Sequence, residues 1–356
     1  MGFTQADIPR QGWAIECRIN AEDPFRNFLP STGRLVRFAP PATTMEASQP
    51  VPAGGGVRVD TGVVEGGEIP MFYDSMIAKL IVHGADRADA IAKMREALNG
   101  FVIRGISSNI PFQSALLAHP KFQSGDFNTG FIAEQYPQGF SAADVPHDDP
   151  DFLVALAAVA HRRYLERAAG ISGQLAGHGV QIGEQFVVVV QGEAGAHRHV
   201  PVHVAVNGEV LVTVAGGRQY HLAKDWSFGG IRASGSCNGQ AFTAQIERQG
   251  LWLRIAHNGL AIAAQVLSPR GAELLKLMPF KAPADMSKFL LSPMPGLLVN
   301  IAVKPGQVVQ AGERLATIEA MKMENILTAA QDGTVSAVLA NQGESLAVDQ
   351  PILQFA

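Results

Sequence analysis

The chain is poor in cysteine and carries no excess of positive charge. Its two cysteines, Cys17 and Cys237, lie far apart without the spacing of a metal site, which indicates a reducing compartment and no bound metal. Lysine and arginine together number 28 against 32 aspartates and glutamates, so the formal net charge is −4. A chain with this balance has no basic footprint for nucleic acid or an anionic membrane, and we expect neither as a partner.

Long hydrophobic runs are also absent. The longest, residues 152 to 160, is too short to cross a bilayer. Ala6 stands where a myristoylation signal needs serine or threonine, and no signal or transit segment precedes the first residues with a folded pattern. The glycines at 54 to 56 are not followed by the remaining residues of a phosphate-binding loop. We therefore expect a soluble, intracellular protein.

The first part of the chain, residues 1 to 139, mixes strand and helix signals. Residues 13 to 19 alternate as in a strand, and residues 76 to 83 form an apolar run that fits a strand or a helix. Residues 87 to 102 have helical periodicity, with one apolar face. This mixture predicts an α+β unit.

The middle part of the chain predicts a helix followed by antiparallel strands. Asp149 fits an N-cap and Gly170 a helix stop, which predicts a helix over residues 151 to 169. Its first half is apolar on every side, so other structure must enclose it. Residues 180 to 268 alternate in hydrophobicity, with turns such as Asn207-Gly208. The simplest arrangement is a β-barrel or strongly curved sheet around the helix.

The last part of the chain repeats itself. Residues 295 to 318 overlay residues 332 to 355 at an offset of 37, so that Gly296 matches Gly333. Each half contains short aliphatic runs broken by Pro-Gly, Ala-Gly, Asp-Gly and Gln-Gly pairs, which indicate strands and turns. Two halves that are each too small to bury a face predict a small sandwich or flattened barrel.

The connection between the two halves carries Ala320-Met321-Lys322-Met323. Two methionines beside a charge at an exposed position are unusual, and they predict a lysine presented for covalent modification. The segment resembles a biotin carboxyl carrier domain, whose attachment motif is Ala-Met-Lys-Met. The resemblance implies covalent biotin on Lys322, with Met321 and Met323 as recognition elements for a biotin protein ligase. A lipoyl carrier domain shares the repeated fold but has Asp-Lys-Ala around its lysine.

The first part of the chain resembles the C-terminal subdomain of a biotin carboxylase. The resemblance rests on Glu16-Cys17-Arg18 and the residues that follow to 24, and on Tyr73-Asp74-Ser75-Met76 within residues 73 to 80. It implies a catalytic role for Arg18 near the bicarbonate and the biotin ureido group. A permanently charged, planar guanidinium suits an anion and a developing oxyanion. The alternative is an ordinary strand arginine paired with Glu16 or Glu22.

Three further stretches, residues 101 to 111, 125 to 131 and 136 to 140, resemble α subunits of acyl-CoA carboxylases, most closely the propionyl-CoA carboxylases. The resemblance implies a biotin-transfer domain that contacts a carboxyltransferase β subunit in a hetero-oligomer. It also implies that biotin carries CO2 from an ATP and bicarbonate site to that β subunit. There propionyl-CoA becomes methylmalonyl-CoA, which makes the complete enzyme a ligase.

One feature of this family is missing from the sequence, namely the ATP-grasp region that precedes these domains in a complete α subunit. We therefore expect a truncated subunit that is inactive alone and that meets ATP, magnesium and bicarbonate only when intact. The alternatives are an α subunit of methylcrotonyl-CoA or acetyl-CoA carboxylase, or a non-catalytic carrier and docking fragment. The expected compartment is the bacterial cytoplasm or the mitochondrial matrix.

The predicted architecture is a multidomain α+β chain. Residues 1–139 form the α+β subdomain of the biotin carboxylase, and residues 140–280 form the biotin-transfer domain, an antiparallel β-barrel around a central helix. Residues 281–291 have the composition of a mobile linker. Residues 292–356 form the small all-β flattened barrel of a biotinyl or lipoyl carrier.

Overall fold

The computed structural model describes residues 2, 4, 7, 11–47, 49–175, 177–192, 196–223, 230–279, 286, 288–321 and 323–356. Lys322 and most of the predicted linker lie outside these residues. The α-helices are α1 (Arg87–Asn99), α2 (Ile110–Ala118), α3 (Pro120–Ser124), α4 (Phe131–Gln135), α5 (Pro150–Ala169) and α6 (Pro269–Leu275). Short 3-10 turns cover Pro24–Arg26 and Ala142–Asp144.

The strands fall into three groups along the chain. The first group is β1 (Trp13–Asn20), β2 (Glu22–Asp23), β3 (Leu29–Pro30), β4 (Gly33–Arg34), β5 (Arg37–Ala39), β6 (Gly56–Thr61), β7 (Glu68–Ile69), β8 (Met76–Gly84) and β9 (Val102–Arg104). The second is β10 (Gln185–Val190), β11 (Arg198–Asn207), β12 (Glu209–Val214), β13 (Gln219–Leu222), β14 (Arg232–Cys237), β15 (Gln240–Gln249), β16 (Trp252–His257) and β17 (Leu260–Leu267). The third is β18 (Phe289–Leu291), β19 (Gly296–Ile301), β20 (Val308–Val309), β21 (Arg314–Ala320), β22 (Met323–Thr328), β23 (Gly333–Val338), β24 (Ser345–Leu346) and β25 (Pro351–Phe355).

The N-terminal unit is built on an antiparallel sheet of order β1-β8-β6, with α1 packed against β1 and β8. The run at 76 to 83, predicted as a strand or a helix, is a strand. Helix α1 ends at Asn99, three residues earlier than predicted at 102, because Val102–Arg104 form β9 and pair with β5. The core between sheet and helix contains Ile19, Leu80 and Met94, each fully buried.

The middle unit is a closed barrel of eight antiparallel strands, β10 to β17, in chain order. Helix α5 packs against β10, β11, β12, β16 and β17, and its residues 152 to 160 are all buried. Asp149 occupies the N-cap position as predicted, but its side chain does not cap the helix. Its carboxylate accepts hydrogen bonds from Tyr220 Oη at 2.8 Å and Arg218 Nη1 at 2.6 Å. This carboxylate therefore ties the start of α5 to the barrel.

The carrier unit consists of two four-stranded sheets, of order β18-β25-β23-β20 and β22-β21-β19-β24. The 37-residue offset of the sequence repeat carries β19 onto β23, β20 onto β24 and the start of β21 onto the start of β25. It therefore maps the strand order of one sheet onto that of the other. Leu298 and Leu315 and their repeat partners, Val335 and Ile352, are all 0% exposed. The predicted duplication thus appears as two sheets that share one core.

The predicted linker, residues 281 to 291, extends too far. Residues 289 to 291 form β18, which pairs antiparallel with β25, so they belong to the carrier unit. The remaining linker residues lie outside the described part of the chain, apart from residues 286 and 288.

Polar contacts join the N-terminal unit to the barrel. Arg232 donates to the carbonyl oxygens of Gly100 at 2.9 Å and Pro40 at 2.8 Å. Arg104 Nε donates to Glu247 Oε2 at 2.8 Å. Because buried backbone oxygens need such partners, these side chains fix the barrel against the sheet. In the described part of the chain, no helix is long and apolar enough to cross a membrane.

Candidate functional site

The hairpin that joins the two halves of the carrier is formed by β21 and β22. Ala320 pairs with Met323 across it, and Glu319 pairs with Glu324. Met321 has a φ of 49°, in the left-handed region that a tight turn requires. The hairpin is therefore a short turn on a paired ribbon, and Lys322 belongs to this turn by sequence but lies outside the described residues.

The two methionines of the hairpin have different surroundings. Met323 is 51% exposed, whereas Met321 is 7% exposed and packs into the buried cluster of the N-terminal unit, with residues such as Ile77 and Leu80. The backbone N–H of Met321 donates to the carbonyl oxygen of Met71. The sequence predicted both methionines on a protruding tip, and for Met321 the structure differs because the hairpin lies against the N-terminal unit.

A second contact joins the carrier to the N-terminal unit. Arg26 Nη2 lies 3.2 Å from Asp349 Oδ1, and Leu29 packs against the hydrophobic core of the carrier. The two contacts involve separate parts of the N-terminal unit, residues 26 to 29 and residue 71. Together they hold the carrier against the first unit of the chain.

The motif Ser-Pro-Met-Pro-Gly at residues 292 to 296 supports the hairpin from inside the carrier. Ser292 is fully buried, and its hydroxyl donates to the carbonyl oxygen of Met294 at 2.6 Å. Met294 is also buried, and its sulfur accepts a hydrogen bond from Asn325 Nδ2 at 3.7 Å. Because Asn325 lies on β22, close behind the hairpin, this motif fixes the strand that carries Met323.

Arg18 lies on the outward face of strand β1. Cys17 and Ile19 on either side point into the core, while the Arg18 side chain is 67% exposed and its Nε lies 3.4 Å from Glu16 Oε1. Its carbonyl oxygen accepts a hydrogen bond from Asn109 Nδ2 at 3.0 Å. The backbone of Arg18 is therefore fixed, while its guanidinium is largely exposed and makes a long contact to Glu16.

The two sequence motifs of the N-terminal unit meet in the structure. Glu22 accepts hydrogen bonds from the Ser75 hydroxyl and from Asn20 Nδ2, the second at 3.1 Å. The backbone N–H of Ala21 donates to the Ser75 carbonyl oxygen at 2.7 Å. Of the two carboxylates that the sequence offered as partners for Arg18, Glu22 is thus engaged by other groups and Glu16 makes the contact.

Cys17 is unsuited to reaction chemistry. Burial, together with the charge of Glu16, raises the pKa of its thiol to about 12. A cysteine that stays protonated at neutral pH is a poor nucleophile, so Cys17 acts as a small core residue.

Sequence reasoning missed a histidine pair at the junction of α5 and the barrel. His147 Nε2 and His257 Nδ1 are 3.0 Å apart, although 110 residues separate them in the chain. Burial, His147 and Arg95 lower the pKa of His257 to about 4, and burial lowers the pKa of His147. Both side chains are therefore neutral at physiological pH. No local sequence motif predicts a contact between two histidines so far apart in the chain.

A cavity of 530 Å³ lies where the N-terminal unit, the barrel and the carrier approach one another. Its lining includes Asp23, Arg104, Arg254, His257 and Val348. Across the described residues, no three His, Cys, Asp or Glu side chains are placed to hold a metal ion. Arg18 and the hairpin that contains Lys322 by sequence thus lie on different units, the first on β1 and the second between β21 and β22.

Three family models match consecutive parts of the chain. Residues 16–134 match the biotin carboxylase C-terminal domain, residues 153–281 match the propionyl-coenzyme A carboxylase BT domain, and residues 288–355 match the family described as biotin-requiring enzyme. The chain is therefore similar, unit by unit, to three domains found in biotin-dependent carboxylases.

Over its length the chain is similar to propionyl-CoA carboxylase alpha chains. It is 44% identical to the alpha chain of Ruegeria pomeroyi, covering 100% of this chain and 53% of the relative. It is 35% identical to the mitochondrial alpha chain of Homo sapiens, covering 96% and 46%. Part of it is 48% identical to Biotin carboxylase 1 of Bacillus subtilis, covering 37% and 27%. The chain thus spans about half the length of the propionyl-CoA carboxylase alpha chains that it matches.

Proposed function

We propose that the chain is the biotin-carrying part of a propionyl-CoA carboxylase α subunit, with biotin attached covalently to Lys322. The observation that carries this proposal is the hairpin between the halves of a duplicated β unit, with Met321 and Met323 flanking the lysine. When bound, biotin supplies a ureido nitrogen that can take up and release CO2. The similarity to propionyl-CoA carboxylase alpha chains supports the choice of acyl-CoA.

The residues around the hairpin fit a biotinylated lysine. A primary amine forms an amide with a biotin carboxyl group that the ligase has activated, and the activating group leaves. Strands β21 and β22 are paired up to Ala320 and Met323, which gives the turn between them a rigid base. Met323 is exposed and offers an apolar surface, which a biotin protein ligase would recognise together with Met321 when the hairpin leaves the N-terminal unit. The ligase is the first partner that the proposal requires.

Arg18 is the residue of this chain that we assign to catalysis in the intact subunit. Its exposed guanidinium can donate two hydrogen bonds to a planar anion such as bicarbonate and stabilise a developing ureido oxyanion. The backbone of Arg18 on β1 is held by a hydrogen bond from Asn109, which supports this role because it fixes the position of the Arg18 Cα. ATP and magnesium belong to the ATP-grasp region of an intact subunit, so we expect no ATP-dependent carboxylation by the chain alone.

The barrel and α5 form the docking unit in this proposal. Residues 140–280, with the barrel around its central helix, would contact a carboxyltransferase β subunit, and the acyl-CoA would bind on that subunit. A short linker at about residue 281 then connects to a carrier that begins with β18. Tethering raises the effective concentration of the biotin arm at both reaction sites. The complex would be a hetero-oligomer in the bacterial cytoplasm or the mitochondrial matrix.

The reverse half-reaction tests this function without an ATP-grasp region. Biotinylated chain is mixed with the β subunit of a propionyl-, methylcrotonyl- or acetyl-CoA carboxylase and with the carboxyl-labelled product of that enzyme. The label moves to the chain while a proton replaces it on the α- or γ-carbon of the acyl-CoA. We expect acid-labile label on the chain only with the propionyl-type β subunit and labelled methylmalonyl-CoA.

The Lys322→Arg variant serves as the control, because it removes the attachment point and keeps the positive charge. Label on that variant would contradict the assignment of Lys322. Label with the methylcrotonyl- or acetyl-type β subunit would favour an α subunit of that carboxylase. The absence of label with every β subunit would contradict the transfer of CO2 by this chain and favour a non-catalytic fragment.

A further inference from the structure

The two halves of the carrier contain the same turn with different residues. In the first half, Gln310 N–H donates to Glu313 Oε2 at 2.9 Å, and in the second, Ala347 N–H donates to Gln350 Oε1 at 2.9 Å. The third residue of the first turn is Gly312, with a φ of 84°. The third residue of the second turn is Asp349, with a φ of 60°.

The backbone of these two turns makes equivalent hydrogen bonds. Gly312 N–H donates to the Ala329 carbonyl oxygen at 2.7 Å, and Asp349 N–H donates to the Ser292 carbonyl oxygen at 2.8 Å. Ala329 and Ser292 are themselves separated by the 37-residue offset. The turn therefore does not need a side chain at this position, and glycine is the residue that suits its left-handed backbone. Asp349 must have another purpose.

The Asp349 side chain contacts a loop with a similar peculiarity. The loop of residues 25 to 29 begins within the 3-10 turn Pro24–Arg26, and Asn27 and Phe28 have φ values of 55° and 58°. A left-handed backbone is unfavourable for a bulky residue such as Phe28. It is maintained here because the Phe28 ring packs edge-on against Phe112 at 4.9 Å. This arrangement leaves Arg26 and Leu29 free to meet the carrier.

We propose that residues 25 to 29 are a dock for the carrier turn at residues 347 to 350. Arg26 binds the Asp349 carboxylate at 3.2 Å and Leu29 packs against the carrier core. The dock keeps the hairpin in its place, with the Met321 N–H on the Met71 carbonyl oxygen. This inference deepens the proposed function, because it gives the carrier a defined resting site on the N-terminal unit.

Several features favour the carrier of this chain as the occupant of the dock. The charges of Arg26 and Asp349 are complementary, and Val348 beside Asp349 lines the 530 Å³ cavity that Phe25 also lines. In the first half of the repeat the two matching residues are Ala311 and Gly312, which are small and uncharged. The carrier thus departs from its own symmetry at the two residues that face the dock.

Hydrogen exchange of the unmodified full chain tests the dock. The V348A/D349G variant gives the second turn the residues of the first, which its backbone accepts. We expect the Met321 amide to exchange about two- to fivefold faster in this variant and in Arg26→Glu, the range for a lost exposed ion pair. Amides inside β19 and β23 should keep their rates, because the carrier itself stays folded.

A charge exchange provides the decisive comparison. Arg26→Asp combined with Asp349→Arg restores opposite charges and should return the Met321 amide to its slower exchange. Lys276→Glu, which reverses an exposed charge paired with Glu273 on α6, should change nothing. An unchanged exchange rate of the Met321 amide in V348A/D349G would overturn the dock. The dock would also be overturned if this amide exchanged no more slowly in the double variant than in either single variant. Biotin attachment to Lys322, measured in the same variants, separates failure of the dock from failure of the carrier assignment.

Discussion

At the residue scale, Arg18 and Arg104 show how differently two strand arginines are used. Arg104 is 19% exposed, and its guanidinium donates to Glu247 Oε2 at 2.8 Å and Gln245 Oε1 at 3.0 Å. Arg18 is 67% exposed, and among the described residues its guanidinium has one polar contact, of 3.4 Å to Glu16. An arginine whose charge is so little used by the fold is available to a ligand.

Replacing each arginine by alanine should separate these roles. Arg18→Ala should lower the free energy of unfolding by less than about 1 kcal/mol, as exposed ion pairs contribute little. Arg104→Ala should lower it by about 2–3 kcal/mol, because it leaves Glu247 and Gln245 without their partner. Urea unfolding followed by circular dichroism measures both. A loss for Arg18→Ala as large as that for Arg104→Ala would mean that Arg18 serves the fold.

The His147 and His257 pair makes stability depend on pH. The backbone N–H of Asp149 donates to His147 Nδ1 at 3.1 Å, so the proton of neutral His147 is on Nε2 and is donated to His257 Nδ1. The pKa of His257 is lowered from 6.5 to about 4, so the unfolded chain binds a proton that the folded chain does not. Stability from this group is therefore complete above pH 6.5 and is lost as pH falls to about 4.

The expected loss from this histidine between those pH values is on the order of 3 kcal/mol. His257→Asn keeps an acceptor for His147 but does not titrate, so its urea midpoint should fall less on acidification than that of the natural chain. Exposed His178→Gln is the matched control and should behave like the natural chain. Equal acid sensitivity of His257→Asn and the natural chain would show that the pair does not govern this response.

At the element scale, the duplicated carrier offers pairs of positions with different packing. A Cβ on Gly296 would lie 2.5 Å from Ile318 Cγ2 and 2.7 Å from the Glu319 carbonyl oxygen. A Cβ on its repeat partner Gly333 would lie 3.5 Å from Phe355 Cδ1, an ordinary contact. The close approach at Gly296 lies beside strand β21, which leads to the hairpin.

Gly296→Ala should therefore destabilise the carrier by about 1–3 kcal/mol, because the backbone at Glu319 cannot move away without disturbing β21. Gly333→Ala should change stability by less than about 1 kcal/mol. Hydrogen exchange of the carrier strands, measured at increasing temperature, compares the stability of the carrier in the two variants. Equal losses at both positions would contradict the difference in packing between the halves.

Periodicity and turn residues predicted most elements of the fold. The alternating run of 13 to 19 is β1, the helix predicted over residues 151 to 169 is α5, and the 37-residue repeat generates both carrier sheets. The errors came from tertiary pairing. Residues 289 to 291 looked like linker because their strand exists only through pairing with β25, at the far end of the carrier.

The candidate site was predictable only where a local motif carries it. Lys322, Met321 and Met323 are adjacent in sequence, and Arg18 belongs to a recognisable segment. The burial of Met321 was not predictable, because it depends on contact with a unit about 250 residues earlier in the chain, around Met71. The histidine pair was missed for the same reason.

At the scale of the whole molecule, polar contacts join the barrel to the N-terminal unit, whereas the carrier meets that unit through an exposed ion pair, Leu29 and the buried Met321. The barrel is held to the N-terminal unit by Arg232 and by the Arg104 and Glu247 pair. The carrier is held by the exposed Arg26 and Asp349 pair and by the hairpin. Because an exposed ion pair contributes little free energy, we expect the attachment of the carrier to open more readily than the attachment of the barrel. That difference suits a carrier that, in the proposed function, moves between two reaction sites.

The central claim is that Lys322 carries biotin. The most direct measurement is the intact mass of the chain after co-expression with a biotin protein ligase, followed by peptide mapping. We expect the mass of a single added biotinyl group, a complete shift with streptavidin, and the modification on the peptide that contains Lys322. An unmodified lysine in a chain that is folded and exposed to active ligase would contradict it.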